Sequence, residues 1–262
     1  MRVFDTGKVA LHYRVDGDPS GAPVVFANSL GTDLRLWDPI LPLLPPGLRV
    51  IRYDKRGHGL SDCPDAPYSM GQLVTDVERL LDHLEVREAV FVGLSIGGLI
   101  AQGLAAKRLD IVRALVLSNT GAKIATRQIW QDRIDAIRAH GMPAIGDATM
   151  KRWFSKGFRA RPEMQAWRNM LISTPAEGYI GCANAIAGTD FYSTTAALRL
   201  PCLGIAGDED NATPPDLVRE TVDLVPGSRF EIMRRAGHLP CVEDPETYAR
   251  HLSGFLKEVG HV

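Results

Sequence analysis

Cysteine is scarce in this chain, and so is net charge. Four cysteines, Cys63, Cys182, Cys202 and Cys241, are spread over 262 residues with no Cys-x-x-Cys pair among them. That spacing excludes a zinc ribbon and a disulfide framework, leaving reduced, buried thiols in a cytoplasmic protein as the expectation. A formal charge of −1 gives no electrostatic reason to bind nucleic acid or an anionic membrane. No low-complexity tract or internal repeat is present. The opening residues, Met1-Arg2-Val3-Phe4-Asp5-Thr6-Gly7-Lys8, lack the apolar core of an export signal. There is no zincin histidine pair and no phosphate-binding loop. Asp16-Gly17-Asp18-Pro19-Ser20-Gly21 starts like a calcium loop, but Pro19 interrupts it and Ala27 stands where a glutamate is needed. It reads as a turn, and no metal or cofactor is expected.

One stretch of 18 residues, 89–106, carries no charge, which is formally long enough to span a membrane. Gly93, Ser95, Gly97, Gly98, Gln102 and Gly103 interrupt it, and no aromatic belt or basic cluster flanks it. It reads as buried core. Its first part, Ala89-Val90-Phe91-Val92, is β-branched and aromatic, as in a strand covered on both faces. Its last part, from Gly98 onward, reads as a buried helix. Between them lies Gly93-Leu94-Ser95-Ile96-Gly97, a serine at a forced strand-to-helix turn. Small neighbours let the backbone turn sharply, so the Ser95 hydroxyl stands clear at the strand end and the next amide can help hold an oxyanion.

Strand and helix signals alternate along the rest of the chain. Residues 9–15 alternate like an antiparallel strand, while 24–27, 50–53, 114–117, 202–206 and 230–233 read as further strands. Ser69 and Gln72 form a capping box. It opens a helix with Leu73, Val74, Val77, Leu80, Leu81 and Leu84 on one face. Asp244 caps a last helix whose first turn holds Pro245. Alternation of this kind predicts a mostly parallel sheet covered by helices. A length of 262 residues, 45% of them hydrophobic, suits one large α/β domain with an insert. Between residues 120 and 190 the strand signals stop. Helical periodicity and three of the four tryptophans replace them, with ten Lys or Arg against six Asp or Glu. The chain therefore divides into a core domain, 1–119 and 191–262, and a helical lid, 120–190, with a charge of +4.

The Ser95 turn resembles the nucleophile elbow of the α/β-hydrolases. The resemblance implies a triad in the chain order Ser, Asp, His, each member in a loop after a strand. Of seven histidines, His238 stands where such a base is needed, in Ala236-Gly237-His238-Leu239-Pro240 after the strand at 230–233. His58, in a Gly57-His58-Gly59 loop, precedes the serine. The acid is expected after the strand at 202–206, where Gly207-Asp208-Glu209-Asp210 favours Asp210, with Asp208 the fallback. Thr213 and Pro214 read as the cap of the following helix. The oxyanion donors are expected to be the amides of Ile96 and of Leu30 in Asn28-Ser29-Leu30-Gly31-Thr32. Asp54 and Arg56, in Asp54-Lys55-Arg56-Gly57-His58-Gly59, are expected to brace loops.

More narrowly the chain resembles the 3-oxoadipate enol-lactonases. Three stretches carry this: Asn28-Ser29-Leu30-Gly31-Thr32-Asp33 with Leu36-Trp37-Asp38; Thr174-Pro175-Ala176-Glu177-Gly178-Tyr179-Ile180-Gly181-Cys182; and Asp210-Asn211-Ala212-Thr213-Pro214-Pro215 with Gly237-His238-Leu239-Pro240. The resemblance implies cofactor-independent opening of an anionic enol-lactone. Other uses of the same triad are a general carboxylesterase, a perhydrolase or a carbon–carbon bond hydrolase. A ligand receptor on the same scaffold is the non-enzymatic alternative. Haloalkane dehalogenases and epoxide hydrolases require aspartate at the elbow, so Ser95 speaks against both. A substrate carboxylate would need a cation. In the lid, Arg133 is the first candidate and Lys156 the second, with Trp130, one helical turn before Arg133, as an aromatic wall.

Overall fold

In the computed structural model, which describes residues 1–262, one sheet carries the chain. Its strands are β1 (Arg2–Asp5), β2 (Ala10–Gly17), β3 (Ala22–Ala27), β4 (Leu48–Tyr53), β5 (Ala89–Leu94), β6 (Val112–Ser118), β7 (Cys202–Gly207) and β8 (Arg229–Met233). Across the sheet they lie in the order β1-β2-β4-β3-β5-β6-β7-β8. β2 runs antiparallel to both β1 and β4, and every other neighbouring pair is parallel. The sequence did not announce β1: it is short and mostly exposed, so neither face carries an apolar pattern.

Helices α1 (Met70–His83) and α2 (Ile96–Lys107) flank β5 in the chain. α1 opens with the expected reciprocal cap: Ser69 Oγ accepts from Gln72 N while Gln72 Oε1 accepts from Ser69 N at 2.8 Å. Its buried face is Leu73, Val74, Val77, Leu80 and Leu81, the row that 3.6-residue spacing places on one side. The uncharged stretch resolves into β5, buried at every position, and α2, which packs on β3, β5, β6 and α1. No helix is long and apolar enough to cross a membrane. Cys182, Cys202 and Cys241 are buried as expected, but Cys63 is exposed, because it falls in the surface loop between β4 and α1. At the calcium-like segment Asp18 Oδ1 accepts from Ser20 N and Oγ, which closes a turn.

Between β6 and β7 come five helices: α3 (Arg127–His140), α4 (Pro143–Trp153), α5 (Met164–Ile172), α6 (Ala176–Ala187) and α7 (Tyr192–Ala196). α3 packs on α4 and α6, and α4 on α5, while α7 returns to lie on α2. Apolar aromatics hold this insert together; Phe154 stacks on Phe158 with ring centroids 4.6 Å apart, and Trp130 and Trp153 are buried. After β7 follow α8 (Pro215–Asp223), α9 (Pro240–Glu243) and α10 (Pro245–Glu258), the last capped by Asp244, which accepts from Thr247 N. The parallel strands therefore all end on one edge of the sheet. Their following loops begin at Asn28, Asp54, Ser95, Asn119, Asp208 and Arg234.

Candidate active site

Ser95 sits at the carboxyl end of β5 with φ 59° and ψ −119°, the backbone strain that a nucleophile-bearing turn stores. Two close approaches explain its small neighbours. A Cβ on Gly93 would lie 2.3 Å from Gly97 O, and one on Gly97 would lie 2.0 Å from Ala27 O. Only glycine lets α2 start this close to β3.

His238 and Asp210 come together across the loops after β8 and β7. His238 Nδ1 is 2.9 Å from Asp210 Oδ2, and both side chains are buried. The carboxylate collects further donors: Asn119 Nδ2 at 2.9 Å, Thr213 Oγ1 at 2.8 Å, Ala212 N at 2.7 Å and Thr213 N at 3.1 Å. Burial works against its charge, but His238 and these donors outweigh it and hold Asp210 below the ordinary carboxylate range. An ionised Asp210 accepts a hydrogen bond from Nδ1–H, which keeps the proton on Nδ1 and leaves Nε2 free to act as a base. Asp208, the fallback acid, turns elsewhere and accepts from Arg235 N at 2.6 Å. Thr213 does not cap α8, whose N-cap is Pro214; its hydroxyl is spent on Asp210 and lies 3.2 Å from His238 Nδ1.

His238 Nε2 faces Ser29 Oγ at 3.4 Å, and Ser95 Oγ makes no hydrogen bond to it. Leu30 N meets no acceptor. Ile96 N opens α2, where a first-turn amide has no intrahelical partner. The next amide of the loop, Gly31 N, is taken by His58 Nε2 at 3.0 Å. Asp54 and Arg56 brace loops: Arg56 makes a two-point pair with Asp76 at 2.6 and 2.7 Å, and Asp54 accepts from His12 Nδ1, Leu34 N and Leu60 N.

The insert is tied to this centre by backbone bonds. His238 N donates to Trp153 O at 2.7 Å, and Asn211 N donates to Arg152 O at 3.3 Å. Glu243 accepts from Gly237 N at 2.7 Å and from Ser155 N at 3.0 Å, so one buried carboxylate clasps both the base loop and the insert. Glu243→Ala strands two buried amides, each worth about 1–3 kcal/mol when left unpaired. Urea unfolding is expected to show a loss of about 2–4 kcal/mol. A loss under about 0.5 kcal/mol would mean that the clasp is idle.

Arg133 lies over the Trp130 ring, with Cζ 4.6 Å from its centroid, and Nη1 is 3.4 Å from Tyr179 Oη. The Tyr179 and Trp153 rings reach back to the oxyanion loop, within 3.3 and 3.4 Å of where a Gly31 Cβ would stand. Arg152 is the cation that sequence reasoning missed. Burial first, and the nearby Arg133 second, push its guanidinium below its ordinary range, and neither arginine meets a carboxylate. Lys156 is not brought to this pair: its side chain is exposed, and its amide donates to Glu209 at 2.9 Å.

The profile of the alpha/beta hydrolase fold matches residues 22–245, most of the chain. The chain belongs to the α/β-hydrolase family. This hydrolase is 35% identical over 251 residues to 3-oxoadipate enol-lactonase 2 of Acinetobacter baylyi, covering 95% of this chain and 94% of that one. The crystal structure of the enol-lactonase from Burkholderia xenovorans superposes with a TM-score of 0.94 at 35% identity, over 98% of this chain and 100% of that one. A thermophilic esterase from Thermogutta terrifontis superposes on the hydrolase with a TM-score of 0.90 at 28% identity, over 97% and 95% of the two chains.

Proposed function

We propose that this hydrolase opens the ring of 3-oxoadipate enol-lactone, a small anionic lactone, through a Ser95–His238–Asp210 acyl-enzyme and without a cofactor. The observation that carries the substrate choice is the Arg133–Arg152 pair. Two neighbouring guanidiniums of the insert have no acid to neutralise them, and Arg133 reaches Tyr179, whose ring packs toward the oxyanion loop. A substrate carboxylate supplies the missing charge, and a guanidinium binds it at two points. On this reading residues 120–190 act as a lid that holds the anionic end of a small molecule, in a cytoplasmic enzyme.

The chemistry follows from the placement of the groups. Ser95 Oγ attacks the lactone carbonyl carbon as His238 Nε2 takes its proton. The carbonyl oxygen becomes an oxyanion facing Leu30 N and Ile96 N. Collapse re-forms the carbonyl and breaks the ring C–O bond, and the enol oxygen leaves with the proton returned by His238. The enol stays tethered in the acyl-enzyme and could close again; tautomerisation to the ketone removes that nucleophile. Water, deprotonated by His238, then releases the acid and restores Ser95.

Arg133→Leu removes a charged hydrogen-bond partner worth about 1.5–3 kcal/mol. KM for the enol-lactone is therefore expected to rise about ten- to a hundredfold, while KM for a neutral ester of similar size changes little. Progress curves on both substrates decide it. Equal shifts on the two would place the carboxylate elsewhere, and a wide preference of the native protein for neutral esters would favour a general carboxylesterase.

A further inference from the structure

Lys55 directly follows the Asp54 that braces the loops, and its position has no ordinary structural explanation. Its side chain is 2% exposed and forms no ion pair. Nζ donates to Ser29 O at 2.7 Å and lies 3.4 Å from Thr32 O. A buried ammonium held only by carbonyls is costly, and an unbranched apolar side chain would fill the same space without that cost. The location of the charge suggests what it does. Ser29 O belongs to the peptide group whose N–H is that of Leu30, so a cation on the carbonyl oxygen draws electrons away from the amide nitrogen. Hydrogen bonds linked through one group strengthen each other in this way.

Leu30 N stays free while the two amides that follow it, Gly31 N and Thr32 N, are both bonded. Gly31 N is occupied by His58, and Asn28 Nδ2 donates to Thr32 O. The other donor peptide, Ser95–Ile96, is drawn from its carbonyl side as well: Ser95 O accepts from Thr120 Oγ1 at 2.7 Å and from Gly98 N at 2.9 Å. Ser29 O likewise accepts from a hydroxyl and a turn amide, Thr32 Oγ1 at 2.9 Å and Thr32 N at 3.3 Å, and differs from Ser95 O in also receiving a full positive charge from Lys55.

We propose that Lys55 is a positioning residue for acyl transfer: its ammonium fixes and polarises the Ser29–Leu30 peptide, so that Leu30 N–H stabilises the negative charge developing on the substrate oxygen. This rests on reading Ser95 as the nucleophile. The groups facing Lys55 are Asp54 and His58 from its own segment, Asp33 from the loop after β3, and Cys182 from α6. Burial lowers the Lys55 ammonium to about 8, although Cys182, Asp54 and Asp33 favour the charge. Burial likewise keeps His58 neutral, well below the ordinary imidazole range, and pushes the Cys182 thiol up to about 12. The charge is therefore present at neutral pH and is lost above about pH 8.

Activity and stability then move in opposite directions. Between about 8 and the ordinary 10.5, an unfolded chain holds more protons on this lysine than the folded one. Stability attributable to Lys55 accordingly rises with pH across that window. The polarising charge disappears across the same window. A lysine with a merely structural role would make activity follow stability.

The test compares Lys55→Met, which removes the donor, and Lys55→Gln, which keeps a neutral one, on p-nitrophenyl acetate and on the enol-lactone from pH 6 to 10. Removing a whole oxyanion donor costs roughly 10²–10³ in rate, so losing its polarisation is expected to lower kcat about tenfold in the Met variant and less in the Gln variant. KM should stay within about threefold, and the fall of native kcat above pH 8 should be missing from both variants. If Lys55→Met does not fold, Lys55→Gln decides by the same readouts. A folded variant with native kcat, or one that keeps the native alkaline limb, would overturn the proposal. Ser95→Ala runs beside them: if it is dead while Lys55→Met is native-like, only the role of Lys55 fails. Sustained turnover by Ser95→Ala would instead remove the nucleophile reading and this inference with it.

Discussion

Ser95→Ala is expected to abolish turnover, by about 10⁶ in kcat if this triad behaves like other serine hydrolases, while leaving the thermal midpoint nearly unchanged. The substitution removes one hydroxyl. Alanine keeps a Cβ, so it meets the positive φ of the elbow with the same strain as serine. Gly93, Gly97 and the close packing of α2 on β3 are untouched. The oxyanion donors also remain, so some catalysis above water should survive. Steady-state rates on the enol-lactone and on an activated ester, with circular dichroism as a fold control, give the answer. Retention of more than about a hundredth of the native rate would remove Ser95 from the nucleophile role.

Asp210→Asn should cost roughly 10⁴ in kcat, by presenting the wrong histidine tautomer. In the native protein Oδ2 receives His238 Nδ1, Asn119 Nδ2 and Thr213 Oγ1, and Oδ1 receives two backbone amides. The position is acceptor-only. An asparagine must turn its NH2 toward some of these donors. If it turns toward Nδ1, the imidazole proton moves to Nε2 and the base can no longer take a proton from serine. Asp208→Asn is the internal control. Asp208 holds the turn at Arg235, and its loss should leave kcat within a few-fold of native. A damaging Asp208→Asn beside a harmless Asp210→Asn would shift the acid by two residues.

What could be read from the sequence was whatever a few adjacent residues decide. The elbow is one case, since glycine is the only residue that tolerates the contacts around Ser95. The capping box at Ser69 is another, and so is the fully apolar run of β5. That Asp210 and His238 would meet was legible because each follows a strand signal at short range. The unread parts depend on distant residues meeting. Ser29 and His238 are 209 positions apart, and Lys55 reaches Ser29 O across 26. Asn119, with φ 45°, supports Asp210 from 91 positions away, and nothing around it in the chain marks that duty. Arg152 looked like any surface cation of an amphipathic helix, whereas Lys156, chosen on charge alone, proved exposed. Thr213 was misread because a Thr-Pro pair before a helix also suits a cap. Gly178, part of the stretch that carried the narrow resemblance, has a physical reason to be glycine: a Cβ there would lie 2.0 Å from Gly57 O.

The backbone bonds from the insert to the base loop bear on how such proteins can be recombined. A helical cap between two strands invites exchange as a cassette, with new specificity carried on an unchanged engine. In this chain the cassette also holds the loops that carry His238 and Asp210. Trp153 supplies the carbonyl that holds His238 N, Arg152 the carbonyl that holds Asn211 N, and Ser155 the amide that shares Glu243 with Gly237. A chimera that swaps residues 120–190 for a relative's cap replaces all three at once. Its turnover number should therefore change even on a substrate both parents accept, unless the junctions are drawn so that the native 152–155 segment stays with its own base.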